Sequence, residues 1–184
     1  IGDSVIPCAI PYMMHTLNDP NQNAMGDTPL EKAGIDVIVS KVVSFNPKAH
    51  SVTLESGQVL NYERLVLATG TEPVLPPIPG IEKEGVFTIR KSMSAMIQLR
   101  EKVHKAKCVA IIGGGFIGAE FADELSQGSK TDVHLIEIMP KMLVTAFDDE
   151  FCDEVAKVLG SKGIHIHSGN RVVSIDGNSQ VESV

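Results

Sequence analysis

An α/β fold built on a parallel sheet is predicted by three features of this sequence. The run Val109-Ala-Ile-Ile-Gly-Gly-Gly-Phe-Ile-Gly-Ala-Glu120 passes from β-prone apolar residues through glycines into helix formers without a break. A second apolar run, Val133-His-Leu-Ile-Glu137, follows and ends in an acid. A third, at residues 164–167, lies beyond an amphipathic stretch at 148–161. Strand and helix in alternation predict parallel strands covered by helices, because a parallel pair needs a long return connection.

The other elements follow in order. Residues 1–11 are short and punctuated by Pro7 and Pro11, and residues 12–17 fit a helical turn. Residues 18–29, rich in Asn, Asp, Gly and Pro, read as a loop. Residues 35–45 are β-rich, and 51–55 and 58–61 flank Ser56-Gly57, a hairpin signal. Residues 64–68 read as an apolar strand that runs into Thr69-Gly70. Pro73, Pro76, Pro77 and Pro79 then make a semi-rigid crossing between two domains. Residues 92–105 place Met93, Met96, Ile97, Leu99 and Val103 mostly on one side of a helix. Next come strand 108–112, helix 116–126 and strand 133–137. Helix 148–161 has Phe151, Val155, Val158 and Leu159 as its apolar stripe, and Gly163 closes it. Residues 164–167 and 171–175 are two further short strands.

The glycines Gly113, Gly115 and Gly118, with Phe116 and Ile117 inside the turn, fit the dinucleotide fingerprint G-x-G-x-x-G. Gly113 permits the tight turn out of the strand. Gly115 lacks a Cβ, so a pyrophosphate can approach the backbone. Gly118 lets the helix pack close to the sheet. The unpaired N–H groups of the first helical turn then face the phosphates. Glu137 lies about 20 residues on, where a carboxylate accepts hydrogen bonds from the adenosine ribose hydroxyls and repels a 2′-phosphate. The spacing therefore points to NAD(H) over NADP(H). Taken together, the βαβ unit is Rossmann-like.

Composition narrows the function classes. The chain has 184 residues, enough for one domain or two small ones, with 43% hydrophobic and 21% charged residues, as in ordinary globular proteins. A formal net charge of −7 argues against a nucleic-acid partner. No apolar run approaches a membrane span, so no membrane partner is expected. Cys8, Cys108 and Cys152 form no C-x-x-C pair, and their odd number suggests a reducing compartment, the cytoplasm. Cys108 and Cys152 read as small core residues. His15, His50, His104, His134, His165 and His167 are scattered. His165 and His167 share a strand face, but no third ligand is suggested and no metal site is expected. The first residue is Ile1, and the chain stops at Val184, soon after the turn Asp176-Gly177-Asn178, where an open sheet of this kind would continue, so the sequence reads as truncated at both ends.

At this point the chain resembles the pyridine nucleotide–disulfide oxidoreductases, FAD proteins with an NAD domain inserted into the FAD domain. Three stretches carry the resemblance: Gly113–Gly118 with Glu120 and Glu137; Tyr62-Glu-Arg-Leu-Val-Leu-Ala-Thr-Gly-Thr-Glu-Pro73; and Pro7-Cys8-Ala9-Ile10-Pro11-Tyr12. The last is similar to the single-cysteine motif of coenzyme A disulfide reductases, NADH oxidases, NADH peroxidases and polysulfide reductases, with Ala9 where glycine is common.

The resemblance implies a division into a partial FAD-binding domain with a β-hairpin or meander at 1–78 and a partial NAD-binding domain at 79–184. It implies that Ala68-Thr69-Gly70 approaches FAD and that Val42 makes a backbone contact to its adenine. Phe116 stands where the family has an aromatic that covers the flavin, or else is a core residue at a helix start. Glu120 resembles an acid near the nicotinamide end, or is a solvated helix carboxylate. Cys8 is implied as the redox-active cysteine, activated by a helix starting just after it; the other reading is a buried structural cysteine.

The implied function is a fragment of a flavin-dependent NADH oxidoreductase. Hydride would pass from NADH through FAD to Cys8 and on to a disulfide, polysulfide, oxygen or peroxide acceptor, in an intact protein that is a homodimer. Two alternatives stay open. One is a ferredoxin or rubredoxin reductase type without a redox cysteine. The other is an isolated NAD-binding module with no activity, because the first FAD fingerprint, the last FAD segment and the dimer-forming domain are absent.

Overall fold

The structure is a computed structural model and describes residues 4–24, 26–128 and 130–184. They divide into two compact units, 26–72 and 4–24 with 73–184. The division falls where the proline cluster begins.

The smaller unit opens with a short helix, α1 (Thr28–Lys32), that has Pro29 in its first turn and runs out through Gly34 at φ 74°. Three strands follow as an antiparallel meander: β1 (Val42–Asn46), β2 (Ser51–Leu54) and β3 (Val59–Asn61). The β1–β2 turn is closed by the Asn46 side chain, which accepts from the N–H groups of Lys48 and Ala49 at 3.0 Å each. The expected hairpin turns at Gly57, at φ 85°. Leu54 alone is buried among the described residues of this unit.

Two strand expectations here need correction. Residues 35–41 are not part of β1, because Val42 already pairs with Leu54, the last residue of β2. The Lys41 carbonyl still accepts from the Glu55 N–H at 2.8 Å, but residues 35–40 join no ladder among the described residues. Residues 64–68 join no ladder among the described residues. An apolar strand needs neighbours to take its N–H and C=O groups, and here Val66 stays 83% exposed.

The larger unit carries α2 (Met93–Lys105), β4 (Cys108–Ile112), α3 (Phe116–Ser126), β5 (Asp132–Glu137), α4 (Asp149–Ser161) and β6 (His165–Ser168). The strands form a parallel sheet in the order β4-β5-β6. Cys108 faces Asp132 and His134 faces His165 in the register. Ser92 caps α2 by accepting from Ala95, and Asp148 caps α4 by accepting from Phe151, so each helix starts where a short polar side chain replaces a missing partner. Gly163 leaves α4 at φ 87°.

Strand periodicity decides which face is buried. In β5, Val133, Leu135 and Glu137 point into the core, while Asp132, His134 and Ile136 point away. The core holds Val133 and Leu135 with Met96, Leu99 and Val103 of α2, Phe121 and Leu125 of α3, and Cys152 and Leu159 of α4. Helices therefore cover one face of this sheet among the described residues. The stripe of α4 is turned from the expected one: Cys152 and Leu159 are buried, but Phe151 and Val158 are 47% and 45% exposed. Residues 171–175 are not a strand. The backbone of Ile175 bonds instead to the Pro79 carbonyl, at 2.8 Å, and to the Lys83 amine, at 3.0 Å.

Cys152 is buried as expected, but Cys108 is exposed and is not a core residue. It opens β4 on the side away from the helices. Partial shielding of its sulfur and then the nearby Asp132 carboxylate push the thiol above its ordinary 9.0. The folded-state value is the higher one. The preference for the folded state is thus full below 9.0 and is lost as pH rises through the folded value. Alkylation of Cys108 by iodoacetamide is expected to accelerate with a midpoint above pH 9.0. Asp132→Asn should lower that midpoint only in part, because the shielding remains. Peptide mass mapping at stepped pH reads both.

Residues 4–24 pack against α2 and α3 and are tied to them by long-range polar contacts. The buried Glu124 accepts from the Thr16 N–H and the Thr16 hydroxyl, both at 2.8 Å. The Arg100 guanidinium donates to the carbonyls of Met13 and Leu17 at 2.9 and 2.7 Å. Glu124→Ala leaves the Thr16 donors without their acceptor. It is expected to lower the unfolding free energy by about 1–3 kcal/mol in urea titration, with Glu124→Gln, which keeps one acceptor oxygen, losing less.

Candidate functional site

The glycine turn between β4 and α3 has the geometry its residues call for. Gly113 sits at φ 111°, in the region that L side chains avoid, and its N–H bonds to the Ile136 carbonyl at 2.8 Å. This turns the chain sharply off the end of β4. Gly115 precedes α3, and a Cβ there would meet nothing within 4 Å, so the space beside it is open. At Gly118 a Cβ would be driven into the carbonyl oxygen of Gly113. That glycine is what lets α3 sit against the turn. No side chain caps the start of α3, and its first turn carries no acid. The free N–H groups and the positive end of the helix therefore face the open space, as anion binding requires.

Glu137 ends β5 beside this turn and is 9% exposed. One carboxylate oxygen accepts from the Gly114 N–H and the other from the Met139 N–H, both at 2.6 Å. Gly114 has to be glycine for this approach, because its Cβ would lie 2.9 Å from the Cβ of Glu137. The carboxylate is thus fixed by backbone on both sides and keeps acceptor capacity for further donors. The only cation of residues 138–148 is Lys141, and it is engaged by Asp153 at 2.7 Å and Asp149 at 3.5 Å. Its hydrogen bond to Asp153 is the main reason that its pKa lies above the ordinary lysine value. No cation of this loop is left to receive a 2′-phosphate.

The remaining predicted residues divide into groups. Phe116 and Ile117 are 55% and 59% exposed, so Phe116 is not a core residue at the helix start. Its ring stands edge-on to Phe147 at 5.6 Å, and Phe147 packs on Phe151 at 4.3 Å. Glu120 is exposed, one turn along α3, and borders an open groove between α3 and α4 together with Tyr12, Asp123, Phe151 and Lys162. That groove lies beside Glu120 and has none of the three fingerprint glycines in its lining.

Cys8 is exposed rather than buried. The helix expected after it is replaced by two three-residue 3-10 turns, Pro7–Ala9 and Pro11–Met13. Neither is long enough to build the end charge of an α-helix. In the smaller unit, Val42 opens β1, and Ala68, Thr69 and Gly70 are exposed, with Gly70 at φ 73° and no atom within 4 Å of where its Cβ would be.

Sequence reasoning did not find Gly114, Met139, Thr16 or Glu124. Gly114 was legible as the extra glycine inside the fingerprint. The Thr16–Glu124 pair spans 108 positions and leaves no local signal.

Comparison with known proteins adds four findings. Residues 7–184 match the family described as pyridine nucleotide-disulphide oxidoreductase. The chain is 32% identical over 188 residues to an NADH oxidase of Methanocaldococcus jannaschii, covering 97% of this chain and 42% of that protein. Among solved structures it resembles an NAD-dependent persulfide reductase from A. fulgidus, with a TM-score of 0.83, 28% identity, and 97% and 36% of the two chains covered. It also resembles a water-forming NADH oxidase from Lactobacillus brevis bound to NADH, with a TM-score of 0.77, 26% identity, and 97% and 41% covered. The chain thus spans about two fifths of the length of these relatives.

Proposed function

Because the chain belongs to the pyridine nucleotide-disulphide oxidoreductase family, we propose that it is the NADH-binding part, with a portion of the FAD site, of a flavin-dependent NADH oxidoreductase. Gly113, Gly115, Phe116, Ile117 and Gly118 hold the NADH pyrophosphate, and Glu137 holds the adenosine ribose. Glu120 lies toward the nicotinamide, and Phe116 covers the flavin until the nicotinamide arrives. Val42, Ala68, Thr69 and Gly70 belong to the FAD site. By cofactor, residues 1–78 are the FAD part and 79–184 the NAD part.

The observation that carries this reading is the Glu137 carboxylate. It is fixed at 2.6 Å from two backbone N–H groups and stands beside a helix start that no side chain caps. A carboxylate held this way binds a ribose diol without first having to be ordered.

FAD held at Val42, Ala68, Thr69 and Gly70 would supply two-electron redox chemistry between nicotinamide and thiol. The chain's own residues orient the donor and supply the thiol. Gly115 admits the phosphates, and the first turn of α3 neutralises them. Cys8 offers an exposed sulfur whose oxidised form is a mixed disulfide or a sulfenic acid. Two electrons and two protons return it to the thiol and release a second thiol or water. The acceptor class is a disulfide, polysulfide, oxygen or peroxide. The intact protein works as a cytoplasmic homodimer. Among the described residues no helix is long and apolar enough to cross a membrane.

Cys8→Ser in the flavin-loaded, full-length protein tests the thiol step. It is expected to abolish disulfide or polysulfide reduction while NADH still binds. Retention of full reduction would favour direct electron transfer to a protein partner of the ferredoxin or rubredoxin type. The isolated chain, which spans about two fifths of the length of its relatives, is expected to bind NADH without oxidising it. Loss of absorbance at the NADH band under air would contradict that.

A further inference from the structure

The face of the parallel sheet that points away from the helices carries an unusual set of side chains. Where the strands begin, it presents Cys108 from β4, Asp132 and His134 from β5, and His165 and His167 from β6. The Cys108 sulfur, an Asp132 carboxylate oxygen and a His134 ring nitrogen all lie within 4.8 Å of one another. His134 Nε2 is 3.3 Å from Asp132 Oδ2, and His134 Nδ1 is 2.9 Å from His167 Nε2. His165 Nε2 is 3.0 Å from Asp132 Oδ1. The three imidazoles stack, with centroid separations of 4.7 and 5.2 Å from His134 to its two neighbours.

Strand physics explains the convergence. Residues two apart share a face, and adjacent strands lie about 4.8 Å apart, so the register alone brings these groups together on a stiff platform. We propose that this face binds one divalent cation of the zinc class through Cys108, Asp132 and His134. Each ligand nitrogen or oxygen already has the outer partner that such sites use. His167 orients His134 through Nδ1 and leaves Nε2 to the metal, while His165 holds the second oxygen of Asp132. Sulfur, carboxylate oxygen and imidazole nitrogen together select zinc or cobalt over magnesium and calcium, which take oxygen alone.

A tetrahedral centre with bonds of about 2.0–2.3 Å separates its ligands by roughly 3.3–3.8 Å. The Asp132–His134 spacing of 3.3 Å already meets this, and the cysteine closes on the metal by a small side-chain adjustment. On binding, the sulfur–hydrogen bond of Cys108 breaks, a sulfur–metal bond forms and the proton leaves to water, with no change of oxidation state. The site lies at the start of β4, and the glycine turn lies past its end, so the two sites do not share residues.

Cobalt(II) chloride titrated into the full chain, followed by zinc, tests the proposal. The expected result is a visible d–d spectrum of tetrahedral cobalt with a near-ultraviolet thiolate-to-cobalt band, both erased by stoichiometric zinc. Cys108→Ser removes the thiolate band, and His134→Ala removes both. His167→Ala keeps the spectrum but weakens affinity by about 10–100-fold. Cys8→Ser leaves the cobalt spectrum as it is, and NADH affinity is unaltered in every folded variant. A pale octahedral spectrum, or a thiolate band that survives Cys108→Ser and vanishes in Cys8→Ser, would overturn it. Far-ultraviolet circular dichroism and the NADH titration show that each variant is folded.

Discussion

Gly118→Ala is expected to abolish measurable NADH binding and to destabilise the larger unit by about 3 kcal/mol or more, the upper end for overpacking. The added methyl would collide with the carbonyl oxygen of Gly113, and backbone faces backbone there. No side-chain rotation relieves such a clash, so α3 must move off the turn and carry its N–H groups away from the phosphate position. Gly115→Ala is the contrasting variant. Its φ is −78° and the space around its Cβ is empty. The unfolding free energy should therefore change by less than about 1 kcal/mol, while the methyl fills the space that the pyrophosphate needs. Urea titration and NADH fluorescence on the two variants separate a glycine needed by the fold from one needed by the ligand. Equal stability losses in both would contradict the assignment.

Glu137→Ala should have the second large effect, and on two counts. It removes the acceptor of the Gly114 N–H, a buried donor, at a cost of about 1–3 kcal/mol in stability. It also removes the group proposed to grip the ribose, so NADH affinity falls while any residual binding rests on the phosphates. Glu137→Gln is nearly as harmful, because its amide NH2 would face one of two backbone donors. NADPH is expected to bind far more weakly than NADH to the unmodified chain, since Glu137 excludes the 2′-phosphate and Lys141 is committed to Asp149 and Asp153. Isothermal titration with both nucleotides reads the difference, and equal affinities would remove Glu137 from the ribose site.

The parallel half of the fold is legible in the sequence because its signals are local and agree with one another. Helix α3 begins at Phe116 and ends at Ser126, as the glycines and the apolar period predict. The meander is legible only at its hairpin, where Ser56-Gly57 marks the turn. Residues 35–40, 64–68 and 171–175 carry strand composition but join no ladder among the described residues, and composition alone does not supply one.

The candidate site divides the same way. Gly113, Gly115, Gly118 and Glu137 are read directly from spacing. The carboxylate's anchoring by Gly114 and Met139 depends on how the β5 end meets the turn, which spacing does not encode. The grouping of His134, His165 and His167 on one face follows from a period of two in β5 and β6. It could have been drawn once the pairing of His134 with His165 was fixed. The exposure of Cys108 follows from the same alternation, one strand across. The thiol of Cys8 is read from its motif, while the absence of a following α-helix reflects Pro7 and Pro11, each opening a short turn of its own.

A crystal of the chain soaked in NADH tests the central claim most directly. Density is expected for the pyrophosphate over Gly115 at the start of α3, with both adenosine ribose hydroxyls within hydrogen-bond distance of the Glu137 carboxylate. An empty crevice at saturating nucleotide, or an adenosine lying away from Glu137, would contradict the account.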